Sequence, residues 1–168
     1  PKEKYEMKRE MGEDFFVIAE IGNNHQGSFE ICKELIKCAY ESGVDAVKLQ
    51  KRDINSLYTD DFLESEYNNP NSFGKTYREH RENLELSTAD FAKLKEYAEG
   101  LGLVFFATVF DIQSADFING LGCKCFKISS GDMTNVFLLD HVAKFGKPMI
   151  ISTGAATISD IKCIYNKL

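Results

Sequence analysis

Short apolar runs alternate along this chain with stretches of helical spacing, and that alternation limits the fold more than any other feature. Phe15 to Glu20 (FFVIAE) is a continuous apolar run stopped by Gly22, the pattern of a strand buried on both faces. Ser28 then stands as a cap before Ile31, Leu35, Ile36, Ala39 and Tyr40, which recur at helical spacing until Gly43. Asp45 to Gln50 (DAVKLQ) reads as a second strand, and Leu103 to Phe106, Lys124 to Ile128 and Pro148 to Ser152 as three more. Helices are expected from Ser87 to Gly100, Asp111 to Asn119, Asn135 to Phe145 and from Thr157 onward. Parallel neighbours need a crossover, usually a helix, so the alternation gives a parallel α/β architecture. Five strands fit an open doubly wound sheet or the front part of an eight-stranded β/α barrel.

A chain of 168 residues, 43% hydrophobic with 13 Phe and 7 Tyr, can fill one core, which excludes wholesale disorder. Its net charge of −6 gives no general attraction to nucleic acid or anionic membrane, so any bound anion must be held locally. No apolar run approaches the ~20 residues that span a bilayer. Residues 1–14 are expected to be a polar N-terminal extension, without the apolar stretch of a secretory signal, ahead of a domain covering 15–168. Cys32, Cys38, Cys123, Cys125 and Cys163 show no paired metal-ligand spacing and read as buried, reduced thiols of a cytoplasmic protein. Cys123 and Cys125 should point to opposite faces.

The chemistry is signalled where polar residues interrupt strands that should be apolar. Lys48 and Gln50 share a face with Ala46, while Val47 and Leu49 take the other. Glu20 ends the first strand, Thr108 stands just past the third, Lys127 lies inside the fourth, and Ser152 ends the fifth. All fall at or near C-terminal strand ends, where parallel β/α folds assemble their sites. Buried charge must be paired or compensated by ligand, and phosphate or carboxylate would compensate two lysines. Ser129-Ser130-Gly131-Asp132 and Ser152-Thr153-Gly154 can add hydroxyl and backbone donors. The competing reading is a structural network in which Lys48 and Lys127 pair with Glu20 or Asp132.

Other polar residues carry weaker signals. His25, between Asn24 and Gln26, reads as a hydrogen-bonding turn residue rather than a base or metal ligand. The polar segment Lys51 to Asn83 reads as a long functional loop at a strand's C-terminal end, and the stretch around His80 as a solvated helical face. Arg78 and Arg81 within it are secondary candidates for a sugar or carboxylate. His141 reads as a packing residue. No two histidines have metal-ligand spacing. The GxSxG, GxGxxG and P-loop patterns are absent, which counts against a hydrolase elbow and nucleotide binding.

Five blocks, IAEIGNNHQG (18–27), DAVKLQ (45–50), FFATVFD (105–111), FKISSGD (126–132) and KPMIISTGAAT (147–157), together resemble the sialic acid synthase family. The resemblance implies a (β/α)8 TIM barrel, of which this chain would be about the first five units. It implies condensation of phosphoenolpyruvate with N-acetylmannosamine or a related amino sugar, giving a nine-carbon acid and phosphate. Lys48, Lys127, Ser130 and Ser152 would hold the phosphate and carboxylate, with Glu20 and Gln50 near the sugar and the reacting carbons. Thr108 would line the pocket, and Tyr77 would match a sugar contact. Asp132 would also bind substrate and stands where members often carry Glu, and Val109 stands where a proline is common. The resemblance further implies a divalent metal, Mn2+ or Mg2+, held by histidines that no position here matches. A homodimer with a small antifreeze-like terminal domain is implied for the full-length enzyme, and little activity for this piece alone. Two alternatives stay open: another phosphoenolpyruvate- or pyruvate-handling barrel aldolase, and an inactive phosphate-binding fragment.

Overall fold

The computed structural model describes residues 15–168, so the extension expected over 1–14 lies outside them. Strands β1 (Ile18–Gly22), β2 (Ala46–Lys51), β3 (Val104–Val109), β4 (Phe126–Ile128) and β5 (Met149–Ile151) form one sheet in the order β1-β2-β3-β4-β5, every pair parallel. Consecutive order sets aside the doubly wound alternative, which reverses direction at a switch point.

Helices α1 (Phe29–Glu41), α5 (Thr88–Gly100), α6 (Ile112–Gly120) and α7 (Val136–Ala143) connect the strands, and α8 (Ile158–Lys167) follows β5. Each begins at a residue whose side chain accepts a first-turn backbone N–H: Ser28, Ser87, Asp111, Asn135 and Thr157. Such a cap stabilises a helix by about 1 kcal/mol. The apolar helix faces pack with Val47, Leu49, Phe105, Ala107, Phe126 and Ile128 into the main core. No described helix packs on the opposite sheet face. Yet Ala46, Val104, Phe106 and Cys125 are buried on it among strand neighbours, with Ile18 and Ile150 beside them. This small apolar layer floors the face on which the polar residues stand.

Strand β3 runs on to Val109, so Thr108 lies inside it rather than just past its end, and the structure departs from expectation in four further places. Strand β1 starts at Ile18, not Phe15: Phe15 and Val17 are exposed, and Val17 N–H donates to Asp45 Oδ2 at 2.8 Å. Strand β4 starts at Phe126, leaving Cys123 and Cys125 ahead of it, though still in opposite core layers. All five cysteines are free, but Cys38 and Cys163 are exposed on their helices rather than buried. Burial pushes the other thiols up, Cys32 and Cys125 to about 12 and Cys123 to about 11.

The last departure is the segment 51–83, which is not a plain loop. It forms α2 (Ile54–Leu57), α3 (Asp60–Leu63) and α4 (Tyr77–Leu84), with an antiparallel bridge between Glu66 and Thr76. Ile54, Leu63 and Tyr77 make a second small core with Tyr58 and Tyr67. His80, expected on a solvated face, is buried: Tyr77, His80 and Leu84 lie three and four residues apart on the inner face of α4. No described helix is long and apolar enough to cross a membrane.

Candidate anion site at the C-terminal ends of the strands

The pairing places the interrupting polar residues side by side. Glu20 is opposite Lys48, Gln50 opposite Thr108, and Thr108 opposite Lys127. Strand alternation keeps Lys48, Gln50, Thr108 and Lys127 on the face opposite the main core. Ser152 follows Ile150, the partner of Lys127, by two residues, so it joins them just past β5.

Lys48 is 3% exposed, yet its ammonium is satisfied. It donates to Thr108 Oγ1 at 2.6 Å and to the Leu49 carbonyl at 3.4 Å, and it lies 2.9 Å from Glu20 Oε2. The Glu20 side chain is 60% exposed, so this ion pair joins the buried layer to open solvent. Lys127 donates to Ser152 Oγ at 2.6 Å and to the Ile128 carbonyl. Burial holds the Lys127 ammonium below the ordinary lysine range, the nearby Lys48 charge adds to that, and Glu20 opposes it. Two cations thus stand within each other's field with a single carboxylate between them. That arrangement is costly by itself and is relieved by an anion.

The flanking turns complete the set. The register slips between Glu20 and Gly22, and Gly22 adopts a left-handed φ of +58°. A β-carbon at Gly22 would lie 3.5 Å from Gln50 Nε2, so the Gln50 amide rests against this turn on the β1 side. Ser130 opens a 3-10 turn after β4, and a β-carbon at Gly154 would sit 3.5 Å from its hydroxyl. Ser130 therefore faces the Ser152-Thr153-Gly154 loop. Asp132 closes this turn on itself: its carboxylate accepts from Ser129 Oγ at 2.5 Å, and its N–H donates to the same hydroxyl at 3.2 Å.

Glu20, Lys48, Gln50, Thr108, Lys127, Ser130 and Ser152 therefore gather at one end of the sheet. Tyr77 lies apart from them in the segment's own aromatic core, its hydroxyl 3.2 Å from that of Tyr58. His25 is a buried turn residue whose Nδ1 accepts from Gly27 N–H at 3.1 Å. His141 Nε2 lies 2.7 Å from Asp116 Oδ1 at the surface of α6 and α7. Among the described residues no three His, Cys, Asp or Glu side chains converge as metal ligands, so these residues alone do not fit the expected divalent ion. Arg52 is missing from the sequence-derived candidates. The alternation Lys48, Gln50, Arg52 is the signal that finds it.

The model of the NeuB family matches residues 35–168. Over 150 residues the chain is 39% identical to the N-acetylneuraminate-9-phosphate synthase of Homo sapiens, covering 89% of this chain and 42% of that protein. It is 43% identical over 148 residues to the N,N'-diacetyllegionaminic acid synthase of Legionella pneumophila, covering 88% of this chain and 42% of that one. The crystal structure of a sialic acid synthetase from Leptospira borgpetersenii, in complex with citrate, superposes with a TM-score of 0.76 at 27% identity. That match covers 92% of this chain and 50% of the other. The chain spans about two fifths of the length of the curated relatives it matches.

Proposed function

The chain belongs to the NeuB family, and from that premise we propose that it is the front part, about five units of eight, of a (β/α)8 barrel enzyme. The enzyme condenses phosphoenolpyruvate with N-acetylmannosamine or a related amino sugar. The observation that carries this reading is the convergence of Lys48 and Lys127 with the hydroxyls of Thr108 and Ser152 on one sheet face. The product class proposed, a nine-carbon nonulosonic acid, is supported by similarity to an N-acetylneuraminate-9-phosphate synthase and an N,N'-diacetyllegionaminic acid synthase.

In this reading the two ammonium groups hold the phosphate and carboxylate of phosphoenolpyruvate, with Ser130 and Ser152 as hydroxyl donors. Fixing both anionic groups orients carbon 3 toward the aldehyde carbon of the open-chain sugar, so the approach is no longer a random encounter. Carbon 3 bonds to that carbon, and the aldehyde oxygen takes a proton to become a hydroxyl. Water adds at carbon 2, then phosphate leaves with the bridging oxygen and a keto group remains. Glu20, partly open to solvent and 2.9 Å from Lys48, is placed to hold a sugar hydroxyl or manage a proton, with Gln50 beside it. The expected Mn2+ or Mg2+ would draw most of its ligands from outside the described residues, and no step here is routed through it. We place the full-length enzyme in the cytoplasm, where its thiols stay reduced, and as a homodimer.

The test is turnover of the full-length protein with phosphoenolpyruvate carrying 18O in the bridging position, together with N-acetylmannosamine or its 6-phosphate. The released phosphate should retain the label. Phosphate without label would mean cleavage between oxygen and phosphorus and would reject the mechanism. A second reading, a Schiff-base aldolase, is favoured by the lowered basicity of Lys127 beside Lys48. Borohydride with pyruvate would leave a covalent adduct on a lysine in that case alone.

A further inference from the structure

The strand alternation that presents Lys48 and Gln50 continues to Arg52, about 7 Å further along at ~3.3 Å per residue. Its guanidinium lies 3.7 Å from the centre of the Phe110 ring, and Phe110 follows Thr108 in the same way. The Arg52 side chain is 10% exposed. Burial and the neighbouring charge of Arg81 hold it below the usual arginine range. Arg81 Nε donates to the Tyr77 hydroxyl at 2.7 Å, and its guanidinium stacks 4.9 Å from that ring's centre.

The charges around this pair do not balance. Glu85 is the carboxylate in contact, and Lys51 holds its nearer oxygen at 2.9 Å, leaving Arg52 at 3.8 Å from the other. Arg81 makes no ion pair with any described residue. Arg78, three residues earlier on α4, shows what a structural arginine looks like in this segment: it meets Asp60, Glu64 and Glu82. The Arg81 charge acts on Arg52, and Glu85, which Lys51 shares, is the one described carboxylate that pairs with either guanidinium.

We propose that Arg52 and Arg81 form an anion subsite that selects an amino sugar bearing a phosphate ester. This rests on the condensation reading above: phosphoenolpyruvate occupies the lysine pair, and the far end of the sugar reaches the rim. Two planar guanidinium forks match the oxygens and the double charge of a phosphate monoester, while a free hydroxyl would leave the two cations uncompensated. Tyr77 then acts through Arg81, holding it in place.

The test compares the full-length protein with its Arg81→Gln variant, using N-acetylmannosamine and its 6-phosphate at saturating phosphoenolpyruvate. The ratio of kcat/KM for the phosphorylated over the plain sugar should fall by about 10–100-fold, the range for hydrogen bonds to a charged group. Arg81→Lys, which keeps the charge, should recover part of it. An unchanged ratio would overturn the proposal. If neither sugar turns over, the condensation reading fails on its own, and calorimetric titration with N-acetylmannosamine 6-phosphate still decides the subsite. Binding that weakens about tenfold or more in Arg81→Gln supports it, and equal or absent binding rejects it.

Discussion

Lys127 Nζ lies 2.6 Å from Ser152 Oγ, a contact that reaches from β4 to the residue just beyond β5. The ammonium also meets the Ile128 carbonyl, so it has a partner besides the hydroxyl. The contact fixes where both groups point. Lys127→Ala in the full-length enzyme should lower kcat/KM for phosphoenolpyruvate by about 10²–10³-fold, the usual loss for a preorganised charge-stabilising donor. Ser152→Ala should cost about tenfold, as for one hydrogen bond to a charged group. If the pair binds one phosphate together, the double variant should lose clearly less than the product of the two. Multiplicative losses in steady-state kinetics would mean that the residues act on separate groups.

Lys48 separates a binding role from a structural one. A buried lysine kept for stability is one whose removal strands its partner, at a cost of about 3–5 kcal/mol. Here the charged partner, Glu20, is 60% exposed and would simply return to water, and the group left behind is the neutral, buried hydroxyl of Thr108. Lys48→Met fills a similar volume beside Ala46 and Phe106, and relief of the buried ammonium offsets the lost Thr108 hydrogen bond, so stability should stay within about 1 kcal/mol of wild type while phosphoenolpyruvate binding is lost. Chemical unfolding and calorimetry on the same preparation read both quantities. A loss of several kcal/mol would restore the structural-network interpretation.

Gly27 ties the turn after β1 to the excursion formed by residues 51–83, at the end of α4. It has φ +76°, and a β-carbon there would lie 2.1 Å from the Asn83 carbonyl oxygen, a backbone atom that cannot swing aside. Gly43, at φ +78°, has open space around it. Gly43→Ala should therefore cost about 1–2 kcal/mol, the left-handed backbone penalty alone. Gly27→Ala should cost clearly more and loosen α4 from the rim. Equal melting temperatures for the two variants would show that Asn83 yields freely.

The main sheet was legible because its strands are apolar on both faces, so Lys48 and Lys127 stood out as interruptions. Their helices announced themselves through caps such as Ser87 and Thr157. The strand ends were less legible: Phe15 and Val17 have the right chemistry but no neighbour to cover them. The excursion was illegible for a different reason. Its core positions, Ile54, Leu63 and Tyr77, are separated by charged and Asn-rich stretches and meet only in three dimensions. Arg81 was correspondingly undervalued, because an unbalanced arginine is recognised by the absence of acids around it, which the local sequence, rich in Glu, conceals.

His25 gives the fold a pH dependence with a definite direction. Its Nδ1 accepts the Gly27 N–H, so the neutral ring carries its proton on Nε2 and has no room for a second. Burial is the main cause lowering its pKa to about 4, against 6.5 ordinarily, with the Gly22 backbone opposing. Between those values the unfolded chain takes up a proton that the folded chain refuses, so the unfolded state gains relative to the folded one as pH falls. The contribution is fully present above pH 6.5, declines toward pH 4 and flattens below it, with a ceiling of about 3 kcal/mol at 1.36 kcal/mol per pKa unit. Carboxylates titrate in the lower part of this range, so the informative quantity is the difference between wild type and His25→Gln. Urea unfolding at intervals from pH 7 to pH 4 should show a shallower decline for the variant, whose side chain cannot take the proton. Parallel curves would mean that the folded His25 protonates as readily as the unfolded one, and the turn would have to accommodate an imidazolium beside the Gly27 N–H.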